Sequence, residues 1–440
     1  MIVHTKDSLL TNIERMNCMD EDIEYMSALN KLKRYNQEQL LDRYKYLTDE
    51  KKKVIINQIK NIDFDQIEEL YSNREKKVDK EENQITNIEY VDKSKLSKVE
   101  YKKYYELGKK EIEDGKYAVV TMAGGQGTRL GYVAPKGTFK IGGGIDKSLF
   151  EALSDTIKEA REKFKVSIPW YIMTSRENNN ATEKFFEKND FFGLPYEDVK
   201  FFKQGELPMV NINGKLLLDE TGIIKLAADG HGGVFESLYK NGYLEDMKAR
   251  GIEWIFISGV DNVLAGLVDP IALGLSIDRG TLATGKSVVK RSPSERVGVF
   301  CKKNNRPYVI EYTEITDRMA NERDANGELI YGESHILTNL FNIKALENIS
   351  NNKLPYHSAF KKVKYMDKNG EIVKPEEPNG YKFESFIFDA FETLDDMSIL
   401  RVKREDEFAP LKNADGEDSP NTATELYINF MERKKNGLIK

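Results

Sequence analysis

Between residues 119 and 143 the chain reads VVTMAGGQGTRLGYVAPKGTFKIGG, an apolar, β-branched run that opens directly into a glycine-rich loop carrying two cations. Gly124, Gly125 and Gly127 let the backbone turn sharply and bring amide N–H groups against an anion, an approach that any Cβ would hinder. Arg129 and Lys136 follow on the same loop. Arg meets phosphate oxygens as a fork and Lys as a point charge, and one charge-assisted hydrogen bond contributes about 1.5–3 kcal/mol. The dinucleotide fingerprint G-x-G-x-x-G does not fit, because Leu130 stands where its third glycine belongs and no acidic residue waits about 20 positions on at a strand end. A G-x-x-x-x-G-K-[ST] loop fails as well: Lys147 and Ser148 follow Asp146, with the glycines too early. A purely structural glycine turn stays open, but it leaves Arg129 and Lys136 without a role. A second signal is Asp261, at the end of the apolar run IEWIFISGV. An inward-facing carboxylate there is costly unless it holds a cation or caps the next turn. Mg²⁺ suits the first role, since it keeps oxygen ligands, often one or two carboxylates plus phosphates and waters.

Such a loop needs a strand before it and a sheet around it. KYAVVTMAGG, IPWYIMTS, VKFFKQG and IEWIFISGVDN are short apolar runs ending in Gly, Ser or Asn, and they read as buried strands. Helical patterns lie between them, at 150–160 and 234–250. Strand and helix therefore alternate as in an α/β, doubly wound mixed sheet, where ligands bind beyond the carboxyl ends of the strands. RVGVFCKK and RPYVIEYTEI, separated by an Asn-Asn-Arg turn, predict an added hairpin whose second strand contains Glu311. Residues 1–110 read as an N-terminal helical region: Leu40, Leu41, Tyr44 and Leu47 recur at helical spacing, as do Val54, Ile55, Ile59 and Ile62. Asp63 or Asp65 caps a further short helix, DFDQIEELY. Residues 74–100 read as an extended connector. The predicted division is 1–110, a catalytic domain over 111–388, and a small C-terminal lobe over 389–440.

Composition narrows the function. The 440 residues carry 67 Lys plus Arg against 73 Asp plus Glu, a net charge of −6, which excludes a basic, nucleic-acid-coating protein. Hydrophobic residues at 40% supply a real core. The longest apolar stretch, 254–277, is interrupted by Asp261, Asn262 and Asp269, so no membrane span is expected. The N-terminus shows no basic stretch followed by an apolar block, and a cytoplasmic protein is expected. Cys18 and Cys301, far apart and without His or Cys at ligand spacing, support neither a disulfide framework nor a zinc site.

The loop AGGQGTRLGYVAPKG resembles the L-x-x-G-G-x-G-T-R-L-G-x-x-x-P-K-G signature of the eukaryotic-type UDP-N-acetylglucosamine pyrophosphorylases and their UDP-sugar pyrophosphorylase relatives. Further segments are similar in the same order: FFKQGELPMV, DGHGG, GVDN, VIEYTEI, KPEEPNGYKFESFIFD and REDEFAPLKNADG. The likeness covers nearly the whole chain. It implies a nucleotidyltransferase-like fold and a uridylyltransferase with two small-molecule substrates, UTP and a sugar 1-phosphate, assisted by Mg²⁺. A sugar phosphate oxygen would attack the α-phosphorus of UTP and pyrophosphate would leave. By similarity, Met122, Ala123, Gly124 and Gly125 line the uridine and its phosphates, Gln204 and Gly230 read the uracil edge, and Lys136, Asp261 and Lys382 serve UTP and its metal. His231, Glu311, Tyr312 and Asn339 face the sugar, with Lys412 near its phosphate; Arg129, Lys136 and Lys412 would supply the catalytic positive charge. One departure bears on the sugar. Where well-known members read Gly-Asn-Gly-Gly, this chain has Gly230-His231-Gly232-Gly233, and relatives using other hexose phosphates also carry His there. N-acetylglucosamine 1-phosphate is the expected substrate, with a UDP-glucose or broad UDP-sugar pyrophosphorylase, or a non-catalytic nucleotide-sugar sensor, as alternatives.

Overall fold

The computed structural model describes residues 21–74 and 84–438. They form two compact units. One holds residues 21–74 with Glu206–Asp229 and Tyr356–Glu384; the other holds residues 84–205 with Gly230–Pro355 and residues 385–438.

The second unit is built on a large sheet. Its main path uses β1 (Val91–Asp92), β2 (Tyr117–Met122), β3 (Trp170–Thr174), β4 (Val199–Lys203), β5 (Trp254–Gly259), β6 (Ala283–Val289), β7 (Glu333–Asn342) and β8 (Ser398–Arg401). Their spatial order is β1-β8-β6-β7-β5-β2-β3-β4, and every neighbouring pair is parallel except the two made by β7. Val119, Trp170, Ile172 and Phe256 enter one buried cluster with the helix Leu149–Phe164. Val120, Tyr171, Met173 and Ile257 enter another with the helices Val234–Lys240 and Tyr243–Ala249. Both faces are covered, which is why these strands are apolar without alternation. The doubly wound mixed sheet read from the sequence is the observed one.

The helix expected over 234–250 is two helices, broken at Asn241-Gly242, where Gly242 takes φ 76°. The hairpin forms as expected: Val299–Lys303 pairs with Arg306–Ile310, and Asn304 and Asn305 both take positive φ in the turn. Glu311 is not in its strand but the first residue beyond it. Residues 84–100 are not a connector, since Ile85–Asn87 extends the hairpin and β1 flanks β8. Residues 389–440 are not a separate lobe either. They supply β8 to the sheet and the helix Pro420–Lys435, whose Ala423 and Tyr427 join the cluster around Trp170. Two helices cross unusually closely: a Cβ on Gly274 (helix Pro270–Arg279) would lie 1.8 Å from the Tyr104 carbonyl oxygen of helix Lys98–Glu113, and one on Gly108 would lie 2.0 Å from the Pro270 oxygen.

In the first unit the helices Asp49–Asn61 and Phe64–Asn73 bury Ile55, Ile56, Ile59, Phe64 and Ile67 against Val210, Leu216, Ile224 and Phe383. Asp63 caps the second helix by accepting from Gln66 N at 3.0 Å. YNQEQLLDRYKYL makes two short 3₁₀ turns, Glu38–Leu41 and Tyr44–Tyr46, rather than an α-helix. A small sheet orders His357–Lys361, Gly380–Glu384 and Val210–Asn211. Because three separate segments assemble this unit, the boundaries 1–110, 111–388 and 389–440 are not those of the compact units. Cys301 is buried, and burial pushes its thiol up to about 12, so it is an idle thiol; Cys18 lies outside the described residues. Among the described residues no helix is long and apolar enough to cross a membrane.

Candidate active site

From β2 the chain winds through β3 and β4 to one side, then returns to place β5 on the other. The carboxyl ends of β2 and β5 therefore flank the switch point, where a crevice opens in such sheets. The register puts Met122 beside Gly259, and both the glycine loop and Asp261 emerge there.

The loop is laced into a fixed shape. Ala123 N donates to Met173 O at 2.7 Å, Lys136 N to Gly125 O at 3.1 Å and Gly127 N to Ala134 O at 3.1 Å. Asn178, fully buried, donates from Nδ2 to Ala123 O at 2.9 Å and Gly125 O at 3.3 Å. Sequence reasoning missed this residue; its position just after the strand run IPWYIMTS was the available signal. Gly124 has no space for a side chain: a Cβ would meet the Gln204 carboxamide at 2.7–2.9 Å. The structure thus brings Gln204, at the end of β4, directly onto the loop, while Gly125 faces open space. Arg129 is exposed on the turn Thr128–Leu130 and has no ion-pair partner among the described residues.

Lys136, on the turn Lys136–Thr138, places Nζ 3.7 Å from Asp261 Oδ2, and both side chains are largely shielded from water. Asp261 needs Gly259 beside it, since a Cβ there would lie 2.8 Å from both Asp261 Oδ1 and the Leu337 side chain. Leu337 itself takes φ 57° where the register of β7 against β6 slips, a local strain of the kind that clusters at functional sites. Leu411 N donates to Asp261 O at 2.8 Å, which brings the segment carrying Lys412 alongside. Lys412 Nζ lies 3.6 Å from Asp418 Oδ2 and 5.3 Å from the Phe408 ring. No group of three His, Cys, Asp or Glu side chains among the described residues could hold a metal alone. Asp261 fits Mg²⁺ only as one carboxylate among phosphate and water ligands.

Gly230, at φ 91°, turns the chain so that His231 Nδ1 accepts from Ile387 N at 3.0 Å, which leaves Nε2 to carry the proton of the neutral ring. Asn339 is fully buried on β7, its Nδ2 3.2 Å from His335 Nε2 and its Oδ1 without a hydrogen-bond partner. His335 was not anticipated, although the i, i+4 spacing in HILTN puts the two residues on one face of a strand. Its ring packs 5.1 Å from Phe300 and 5.8 Å from Phe388 and Phe391. Burial foremost, then the nearby His231 and Lys412 charges, push its pKa down to about 3. His335 thus pairs with Asn339 and lies within the electrostatic reach of His231 and Lys412. Tyr312 is half exposed on the turn after Glu311, whose carbonyl accepts from Glu314 N and Ile315 N. Lys382 belongs to the other unit, on strand Gly380–Glu384, where its Nζ donates to Glu384 Oε1 at 2.7 Å.

A measurable consequence follows from His335. Its folded pKa lies below the unfolded value, so the unfolded state binds the extra proton; its contribution is complete above about pH 6.5 and lost as pH falls toward about 3. His335→Asn should lessen acid destabilisation by up to about 1.4 kcal/mol per pH unit in that window. Urea unfolding of parent and variant at pH 7 and pH 5 checks it; equal losses in both proteins would show that the ring is not held neutral.

These features define an α/β protein with a glycine-rich loop at the switch point of its sheet. The chain belongs to the UTP–glucose-1-phosphate uridylyltransferase family, whose model matches residues 62–426. Among similar proteins is the UDP-N-acetylglucosamine diphosphorylase 2 of Arabidopsis thaliana, 35% identical over 434 residues that cover 93% of this chain and 84% of the relative. The UDP-N-acetylhexosamine pyrophosphorylase-like protein 1 of Xenopus tropicalis is 37% identical over 340 residues, and the match spans 66% of that relative's length. The crystal structure of the uridine diphosphate N-acetylglucosamine pyrophosphorylase from Trypanosoma brucei in complex with inhibitor superposes with a TM-score of 0.77 at 30% identity, covering 92% of this chain and 84% of that one.

Proposed function

We propose that the protein is a uridylyltransferase that makes UDP-N-acetylglucosamine and pyrophosphate from UTP and N-acetylglucosamine 1-phosphate. The observation that carries this reading is the convergence of the glycine loop, Gln204, Lys136 and Asp261 at the switch point. Both substrates are highly anionic and the chain is itself negative, so attraction has to be local, within a Debye length of about 8 Å at physiological salt. Within the second unit, Arg129, Lys136 and Lys412 are the cations available for it. A phosphate monoester is already a nucleophile and needs no general base; in-line positioning and cancellation of charge on the equatorial and leaving oxygens do most of the work. Gln204 offers a donor and an acceptor together, as the imide edge of a pyrimidine requires. Mg²⁺ held by Asp261 would neutralise phosphate charge.

A pyrophosphate-release assay with UTP, Mg²⁺ and a panel of sugar 1-phosphates tests the proposal. N-acetylglucosamine 1-phosphate should give the highest kcat/KM. His231, which by resemblance stands where well-known members carry Asn and relatives using other hexose phosphates carry His, favours one second reading, a UDP-glucose or broad UDP-sugar specificity. Faster turnover with glucose 1-phosphate would select that reading, and UTP binding without pyrophosphate release would leave only a nucleotide-sugar sensor.

A further inference from the structure

Lys286 is 1% exposed on the interior strand β6 and has no place in the chemistry described above. Its Nζ lies 2.8 Å from Asp269 Oδ2 and 2.9 Å from Glu407 Oε2, and it donates to Gly266 O at 3.2 Å. Lys93 reaches the same two carboxylates, at 2.9 Å and 3.4 Å. Two cations and two anions thus close a neutral square, buried at Lys286 and Asp269 and most open to water at Lys93. Gly266 is required beside it, since a Cβ there would lie 2.8 Å from Glu407 Oε2 and 3.4 Å from Lys286 Nζ. Buried ion pairs seldom add net stability over apolar side chains of the same shape, so four such charges need another reason.

The reason lies in what the square joins. Asp269 ends the loop that begins at Asp261, and Glu407 begins the segment that ends at Lys412. Between them Asn262, itself buried, donates from Nδ2 to Glu407 O at 2.7 Å and accepts from Ala409 N at 2.9 Å and Leu264 N at 3.2 Å. Leu411 N then bonds Asp261 O at 2.8 Å. We propose that Lys286 is a positioning residue: the charge square and the Asn262 strap fix the register of the Glu407–Lys412 segment against the Asp261 loop, and so hold Lys412 where the sugar phosphate arrives. Among the described residues neither the glycine loop nor Gln204 forms a hydrogen bond or ion pair with the square, so UTP depends on it only through Asp261, and less than the sugar phosphate does.

This inference rests on the proposed activity, and the parent chain's pyrophosphate release is measured first; its absence would refute that activity rather than the positioning role. Three variants then separate positioning from stability. Lys286→Met leaves an uncompensated carboxylate and lowers the thermal midpoint. Adding Glu407→Gln restores charge balance around the remaining Lys93–Asp269 pair and should recover most of that midpoint. Asn262→Ala cuts the strap without touching the charges. Both the double variant and Asn262→Ala should lose at least tenfold in kcat and raise the KM for the sugar 1-phosphate several-fold, with a clearly smaller rise in the KM for UTP. Turnover within twofold of the parent in either protein, or equal rises in both KM values, would overturn the proposal. If the double variant fails to fold, Asn262→Ala alone decides.

Discussion

Lys136→Ala is expected to lower turnover by about a hundredfold or more, the usual cost of removing one preorganised group that stabilises charge developing in a transition state. Lys136 sits on a turn whose backbone is bonded to Gly125, so the loop keeps its shape when the side chain is truncated. What disappears is the ammonium 3.7 Å from Asp261, at the place where the proposal puts the triphosphate. The KM for UTP should rise less than kcat falls, because the contact strengthens as charge moves onto the leaving pyrophosphate. Steady-state pyrophosphate release, with the thermal midpoint as a control on folding, measures the effect. Turnover within fivefold of the parent would mean that this loop does not cradle the nucleotide.

The largest expected effect on stability comes from a methyl group. Gly274→Ala would place Cβ 1.8 Å from the Tyr104 oxygen and 2.5 Å from its carbonyl carbon. Both are backbone atoms, so no rotamer change relieves the clash, and the helices Lys98–Glu113 and Pro270–Arg279 have to separate along their crossing. Overpacking a tight interior costs about 1–3 kcal/mol and occasionally more, and the absence of a yielding side chain puts this case at about 3 kcal/mol or above. Urea denaturation should show a lower midpoint at an unchanged slope. A loss under about 0.5 kcal/mol, within the range of an ordinary surface change, would mean that the crossing is slack.

Much of this was legible in the chain itself, for identifiable reasons. Strands β2, β3 and β5 are short apolar runs buried on both faces, β4 is a half-buried end strand, and each is followed by a turn former, so both their existence and their order could be read. The glycine loop was legible because only close backbone approach explains three glycines in four positions beside two cations. The first unit was not, because long-range pairing stitches it from three distant segments and no local pattern records that. β8 looked like part of a polar tail: Ser398 and Arg401 are polar residues of a buried strand, and Arg401 is satisfied by Glu333 and Glu328, partners far away in sequence. His335 escaped notice for a related reason. A lone histidine on a strand gains meaning only when Asn339, His231 and the Phe300, Phe388 and Phe391 rings are seen around it.

The placement of β8 carries a consequence for biosynthesis. β6 finds one of its two neighbours only when Ser398–Arg401 has left the ribosome, and β1, made long before, pairs with that same late strand. Until then the nascent chain exposes an open edge of backbone donors and acceptors, the feature that invites association between chains. Such late, non-local closure slows folding and lengthens the time spent aggregation-prone. Truncation just before Ser398 would therefore spare every glycine of the phosphate loop and still be expected to yield insoluble protein.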